Sequence, residues 1–250
     1  MKHKLRNVFF KPFIIDYLNH QINLKFYIND YNSKDWYSNG IIAETEINSL
    51  KNIKFKNVLY CGSHQAVVPI ILTKIFKLEK MTCYEALLSN VKISNDNLKL
   101  NKIDNIFIYH AAISDKNTNL RIENNTHNSF ISKDTNNSVE VKSYALKDII
   151  KKEHYDLIII DIEGYEIKAL SNCDFDNIDK CFIELHGDEM LRKYNNQNKD
   201  IYDFFENKKF QFFLYNEINK SLISIENRLD IPKKRCWLLI TKIINNVGKF

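Results

Sequence analysis

The run Leu157-Ile158-Ile159-Ile160 constrains the fold of this chain more than any other stretch. Four consecutive apolar residues, mostly β-branched and without alternation, suit a short strand buried on both faces, as in a parallel sheet covered by helices. The run ends on Asp161, with Glu163 and Gly164 close behind and a helical pattern after them. In open α/β sheets ligands lie outside the carboxyl ends of the strands. Asp161 and Glu163 are therefore two carboxylates delivered to the edge where such a protein works.

The flanking chain repeats the same grammar. Val58 to Cys61 reads as a strand, Gly62-Ser63-His64 as a turn and Ala66 to Lys77 as an apolar helix, with Pro69 tolerated in its first turn. Met81 to Glu85, Ile106 to His110 and Lys180 to Leu185 read as further strands, and Leu87 to Leu100 and Leu146 to Lys152 as helices. Strands alternating with helices imply right-handed βαβ units, hence an α/β fold with a mostly parallel central sheet. Phe210 to Tyr215 and Cys236 to Thr241 have no crossover helix between them, which predicts an antiparallel C-terminal pair. Residues 114–138, rich in Asn, Ser and Thr, predict a loop or small hairpin over the sheet, with a short strand at Val139–Val141. The polar stretch 188–207 predicts a helix. Phe9 to Leu18 suits a strand or a helix, and residues 1–50 form an N-terminal extension or cap on a domain spanning 51–250.

At 250 residues with 44% hydrophobic content, one domain with a sizeable core is expected. The net charge of +5 is spread along the chain, which argues against a nucleic-acid-binding face. The five cysteines, Cys61, Cys83, Cys173, Cys181 and Cys236, are odd in number and form no CxxC pair, so reduced buried thiols in a cytoplasmic protein are expected. No apolar run approaches the ~18 residues of a membrane-spanning helix. The basic and apolar N-terminal stretch is interrupted by Lys11, Pro12 and Asp16, which makes a signal peptide the minor reading.

Three places carry chemistry. Gly62 follows its strand directly, where a missing Cβ would let backbone N–H groups approach a ligand; an ordinary βα turn is the plainer alternative. Glu85 ends the next strand and is placed to accept ribose hydroxyls, or simply to favour a helix N-terminus. Together they point to a nucleoside-containing cofactor, while the absence of GxGxxG and GxxxxGK[ST] argues against NAD and P-loop nucleotides. The third is Asp161 and Glu163 with His186, which ends the strand carrying Glu184. If the two strands are adjacent and parallel, these groups converge, either to abstract a proton or to hold a divalent metal. The plainer alternative makes Glu163 a helix cap and His186 a solvated loop residue. DxEG also resembles the DxDG of haloacid-dehalogenase-like phosphatases, but that motif follows a first strand. His64 could touch a cofactor, His110 ends a strand, and His3, His20, His127 and His154 read as surface residues.

The ordered segments NVLYCGSHQA, TCYEALLSN, IYHAAISDK, YDLIIIDIEGYEIKALSN and CFIELHG resemble the FkbM-type methyltransferases over about residues 57–187. The resemblance implies a Rossmann-like class I methyltransferase fold, S-adenosylmethionine as cofactor, and O-methylation of a hydroxyl on a carbohydrate or related metabolite. The partner would be a small-molecule or glycan acceptor, with no nucleic acid, membrane or resident metal. By position, Gly62, Ser63 and His64 would support the methionine moiety, Glu85 the ribose and Ala111 the adenine, with Asp161, Glu163 and His186 facing the methyl group and acceptor. The chain departs from the family's D-x-G-A-N-x-G, with Tyr60 at the acid and Ala66 at the second glycine. Ala86 and Ile159 replace a common proline and a frequent lysine. Two other readings stand beside it: a catalytically weak or inactive Rossmann-like module that binds a nucleoside or a protein, and a metal-dependent hydrolase.

Overall fold

The structure, a computed structural model, describes residues 10–38, 40–123, 131, 138–175, 178–205 and 209–243. Its first elements are a hairpin of β1 (Phe13–Asn19) and β2 (Ile22–Ile28), then helices Tyr31–Tyr37 and Glu44–Leu50. Beyond them come β3 (Asn57–Cys61), helix Val67–Phe76, β4 (Lys80–Glu85), helix Leu88–Leu100 and β5 (Ile106–His110). After β6 (Ala112–Ser114), β7 (Thr118–Glu123) and β8 (Ser138–Ala145), helix Leu146–Lys152 leads into β9 (Leu157–Ile160). Helix Glu166–Leu170 and β10 (Lys180–Leu185) follow, then β11 (Phe210–Asn216), β12 (Ser221–Ile225) and β13 (Cys236–Lys242).

The main sheet has the order β12-β11-β13-β10-β9-β3-β4-β5. Strands β10, β9, β3, β4 and β5 are parallel, and β13 runs antiparallel between β10 and β11. The apolar run is its middle: all four residues of β9 are buried. Leu157 and Ile159 pack with Val58, Tyr60 and Phe182 on one face, while Ile158 and Ile160 pack with Leu59, Leu146 and Ile183 on the other. Strand ends of one polarity therefore meet at a single edge, which positions the site.

The C-terminal pairing of β11 with β13 is antiparallel as expected, and the intervening chain adds an edge strand, β12, on the outer side of β11. Of the loop or hairpin expected over 114–138, Thr118–Glu123 forms β7 of a separate three-stranded sheet of order β6-β8-β7, residues 124–130 and 132–137 lie outside the described residues, and the short strand expected at 139–141 extends over Ser138–Ala145. The single helix expected over 188–207 is a correction. It breaks into Asp188–Leu191, a 3-10 turn at Arg192–Tyr194 and Asp200–Phe205, because Asn195 is left-handed (φ +62°) and ends the second piece.

The N-terminal segment shares the core. Tyr17, Leu24, Phe26 and Ile28 join Leu50, Val58 and Leu72 in one hydrophobic cluster. Asn97 on helix Leu88–Leu100 and Asn101 at its C-cap accept hydrogen bonds from the N–H groups of Tyr27 and Lys25 (both 2.8 Å), so the edge of β2 is covered by side chains. All five cysteines are free thiols, and no described helix is long and apolar enough to cross a membrane.

Candidate active site

The C-terminal ends of β3, β4, β5 and β9 open into one cavity of about 500 Å³. Gly62, Ser63, His64, Glu85, Ala111, Asp161 and Glu163 all lie on its wall. His186 does not; it sits behind Asp161 and Glu163 with its side chain 5% exposed. The N-terminal segment adds Trp36, Tyr37 and Glu46 to the wall, the small sheet adds Leu120 and Ile122, and Arg235 comes from the approach to β13.

The glycine turn is shaped by what its neighbours require. Gly62 has φ +87°, and a Cβ there would lie 1.7 Å from the Asp161 carbonyl oxygen. The glycine thus lets the end of β9 close against β3, where Asp161 N–H donates to the Cys61 carbonyl (2.9 Å). The N–H groups of Gly62 and Ser63 both donate to the Tyr84 carbonyl, and that of His64 to the Glu85 carboxylate (2.8 Å). The amides that the sequence offers to a ligand are thus engaged within the protein.

The rest of the turn is held by the N-terminal segment. The His64 ring nitrogen Nδ1 lies 2.9 Å from the Tyr37 hydroxyl, with the Trp36 ring 5.2 Å away. Buried Gln65 bonds Ser33, Asn29 and Asp30 through its side chain. Ala66, at the position of the family's second glycine, is left-handed (φ +58°), the conformation in which glycine meets no steric cost.

Glu85 is buried and accepts from Leu87 N–H (2.8 Å), Asn90 Nδ2 (3.2 Å) and His64 N–H. Burial outweighs these bonds and pushes its pKa up to about 7. On the far side Ala111 N–H donates to the Glu85 carbonyl (3.0 Å), and Ala86, Ala112, Leu120 and Ile122 make an apolar wall. His110 holds the neighbouring strand ends through the Ala86 carbonyl (3.0 Å).

Beneath the other half of the cavity lies a charged cluster. His186 places Nδ1 2.8 Å from Glu166 Oε1, and Nε2 3.2 Å from Glu163 Oε2 and 3.6 Å from Asp161 Oδ1. Burial alone would lower the histidine pKa, but hydrogen bonds and charge from Glu163, Glu166 and Asp161 push it up to about 11. His186 is therefore an imidazolium at neutral pH. Burial raises the Asp161 pKa well above the usual carboxylate range, with Glu184, Glu163 and Glu166 adding to the effect and His186 opposing it. Asp161, Glu163 and His186 also bring ligand atoms within 4.8 Å of one another, a spacing a divalent cation could occupy. The plainer sequence alternative fails on both residues: the His186 side chain is shielded from solvent, and helix Glu166–Leu170 has no side-chain cap.

Sequence reasoning missed Glu46, Tyr37, Arg235 and Glu166. Glu166 had a signal, an acid three residues after Glu163 in the first turn of a helix. Glu46 and Arg235 had none, since long-range packing brings them to the cavity. Of the remaining histidines, His20 pairs with Glu44 (3.1 Å) and His154 is exposed, while His3 and His127 lie outside the described residues.

A parallel β5-β4-β3-β9-β10 set closed by antiparallel β13, with a cavity over its C-terminal ends and an acid at the end of β4, is the Rossmann-like arrangement of the class I methyltransferase fold. The Methyltransferase FkbM domain family is matched over residues 49–212, and the chain belongs to that family, whose members are S-adenosylmethionine-dependent methyltransferases. Among solved structures it is similar to M. capricolum TrmK in complex with S-adenosyl-homocysteine, at 15% identity over 80% of this chain and 68% of that one (TM-score 0.46). It is also similar to precorrin-6y C5,15-methyltransferase from Geobacter metallireducens, at 12% identity over 80% and 86% (TM-score 0.46). A third is a Streptococcus agalactiae protein of the NADB-Rossmann superfamily, at 14% identity over 83% and 70% (TM-score 0.45). No curated protein matches the sequence.

The residues present fit the cofactor. The cavity has the volume of a nucleoside-sized site, an apolar wall suited to a base, and a buried carboxylate at Glu85 suited to ribose hydroxyls. Its other end carries the acidic groups Asp161 and Glu163, which suit a sulfonium.

Proposed function

We propose that this methyltransferase methylates a hydroxyl group of a carbohydrate or related metabolite, in the cytoplasm, with Asp161 as the general base. When bound, S-adenosylmethionine supplies a methyl group already activated on a sulfonium. The protein's share of the work is alignment of the acceptor and removal of its proton. Asp161 faces the cavity with 28% of its side chain exposed, and its raised pKa brings it towards that of a useful base. This carboxylate, held against a buried imidazolium, is the observation that carries the reading. Asp161 takes the acceptor's proton on a carboxylate oxygen. Glu163 and His186 are positioning residues: His186 is fixed by Glu166 and holds the two acids in place. Glu85 binds ribose hydroxyls, and the wall of Ala86, Ala111 and Ala112 packs the base. The evenly spread charge favours a small-molecule or glycan acceptor over a nucleic acid.

The test is transfer from isotopically labelled S-adenosylmethionine to a panel of mono- and oligosaccharides, with the product bond located by mass spectrometry. A methyl ether is expected, with the rate reduced roughly 10²–10⁴-fold in Asp161→Asn, the usual range for a lost general base. A product methylated on nitrogen or carbon, or an Asp161→Asn variant as fast as wild type, would overturn the proposal.

A further inference from the structure

Glu46 is a carboxylate without an assigned purpose. It lies in the first turn of helix Glu44–Leu50, is 7% exposed, and stands on the wall of the cofactor cavity. Its carboxylate accepts a hydrogen bond from its own backbone N–H, and no other described residue donates to it. A buried carboxylate left in this condition is costly unless something else supplies charge or hydrogen bonds. Burial pushes its pKa up to about 7, with Glu184 adding and Arg235 opposing.

The sheet order says which end of the cavity Glu46 serves. Ala111 follows β5 and Glu85 ends β4, while Gly62 and Asp161 follow β3 and β9. Helix Glu44–Leu50 packs against β12, at the end of the sheet opposite β5, and Glu184 in β10 and Arg235 act electrostatically on Glu46, so it belongs to the β3–β9–β10 side. A cofactor with its base over β5 and its ribose at β4 directs its methionyl end there. Around that end stand the carboxylates of Glu46, Asp161, Glu163 and Glu184, with Arg235 and His186 as cations. Tyr60, the buried residue two before the glycine, offers a neutral hydroxyl and no charge.

We infer that Glu46 receives the α-ammonium group of the methionyl end of S-adenosylmethionine, so that a carboxylate from the N-terminal helix completes a cofactor site the glycine turn leaves without one. The inference rests on the cofactor reading of the cavity. The N-terminal segment is then part of the binding site, beyond the packing role of its hairpin. An ammonium on Glu46 ends its isolation and favours its ionised form. Arg235 stands beside it as the counterpart for the cofactor's carboxylate, with its Nε engaged by Glu184.

Calorimetric titration of wild type, Glu46→Gln and Glu46→Asp at pH 8 tests this with two ligands. S-adenosylhomocysteine carries the ammonium; 5′-methylthioadenosine keeps the nucleoside and thioether but lacks it. Glu46→Gln should weaken S-adenosylhomocysteine roughly 10–100-fold, as expected for a lost hydrogen bond to a charged group, and leave 5′-methylthioadenosine within about twofold. Glu46→Asp should recover part of the loss. Unchanged S-adenosylhomocysteine affinity in Glu46→Gln overturns the inference, as does an equal loss for both ligands, which would mark a disturbed cavity. A wild type that binds neither ligand removes the cofactor reading and this inference with it.

Discussion

Replacing Gly62 by alanine tests how the glycine turn and the catalytic acid depend on each other. The residue is left-handed at φ +87°, a conformation costing an L-residue roughly 1–2 kcal/mol. The new Cβ would lie 1.7 Å from the Asp161 carbonyl oxygen and 2.8 Å from its carbon, backbone atoms that cannot rotate aside. Relief by backbone movement costs about 1–3 kcal/mol more. The expected loss of about 2–5 kcal/mol is a large part of a total near 5–15 kcal/mol. At about 2–4 °C per kcal/mol for a chain of this size, melting should fall by roughly 4–20 °C. The strand end carrying Asp161 must also shift by about an ångström, a displacement that can cost ~10² in rate. Circular-dichroism melts and the transfer assay measure both quantities. Adding Asp161→Asn to Gly62→Ala should then lower the rate far less than it does in wild type, because the two changes disable one group. A Gly62→Ala protein that melts with wild type and keeps its rate would refute the packing argument.

Two further outcomes follow from the buried charges. Glu46 and Glu85 have folded-state pKa values raised from 4.5 to about 7, so the folded protein holds more protons than the unfolded chain in between. Stability without ligand should therefore decline as pH rises from about 4.5 to about 7, each carboxylate costing on the order of 3 kcal/mol once ionised. Urea titrations across that range should show the decline, flattened in Glu46→Gln and Glu85→Gln; a rise with pH would contradict the assignment. His186 has its pKa raised from 6.5 to about 11, so its contribution is fully present below 6.5 and fades towards 11. His186→Gln leaves Glu163, Glu166 and Asp161 without their cation and should cost about 3–5 kcal/mol near pH 8. Equal melting temperatures for variant and wild type at that pH would show that the cluster does not depend on the imidazolium.

Much of the sheet was legible because its middle is buried on both sides. The runs that became β3, β4, β5, β9 and β10 are short, apolar and bounded by helical patterns, and topology alone then brought Gly62, Glu85, Asp161 and Glu163 to one edge. The N-terminal hairpin was ambiguous for a local reason. Its turn uses His20 and Gln21 in left-handed conformations (φ +49° and +61°) where Asn-Gly would have announced it. The turn before β12 likewise uses Lys220 (φ +48°), and the break after Arg192–Tyr194 uses Asn195. With 5 glycines in the chain, lysine and asparagine stand where turn signals are usually read. The site was legible where its residues sit at strand ends and opaque where packing delivers them. Glu46 reaches the cavity from a separate helix, and Arg235 from the loop before β13.

Every role given to the residues around the cavity over β3, β4, β5 and β9 depends on that cavity receiving the adenosyl cofactor. Calorimetric titration of the wild-type protein with S-adenosylhomocysteine tests it without knowledge of the acceptor. Saturable heat at one ligand per chain is expected, competed by 5′-methylthioadenosine. Absence of heat at millimolar ligand, with the protein folded by circular dichroism, would contradict it.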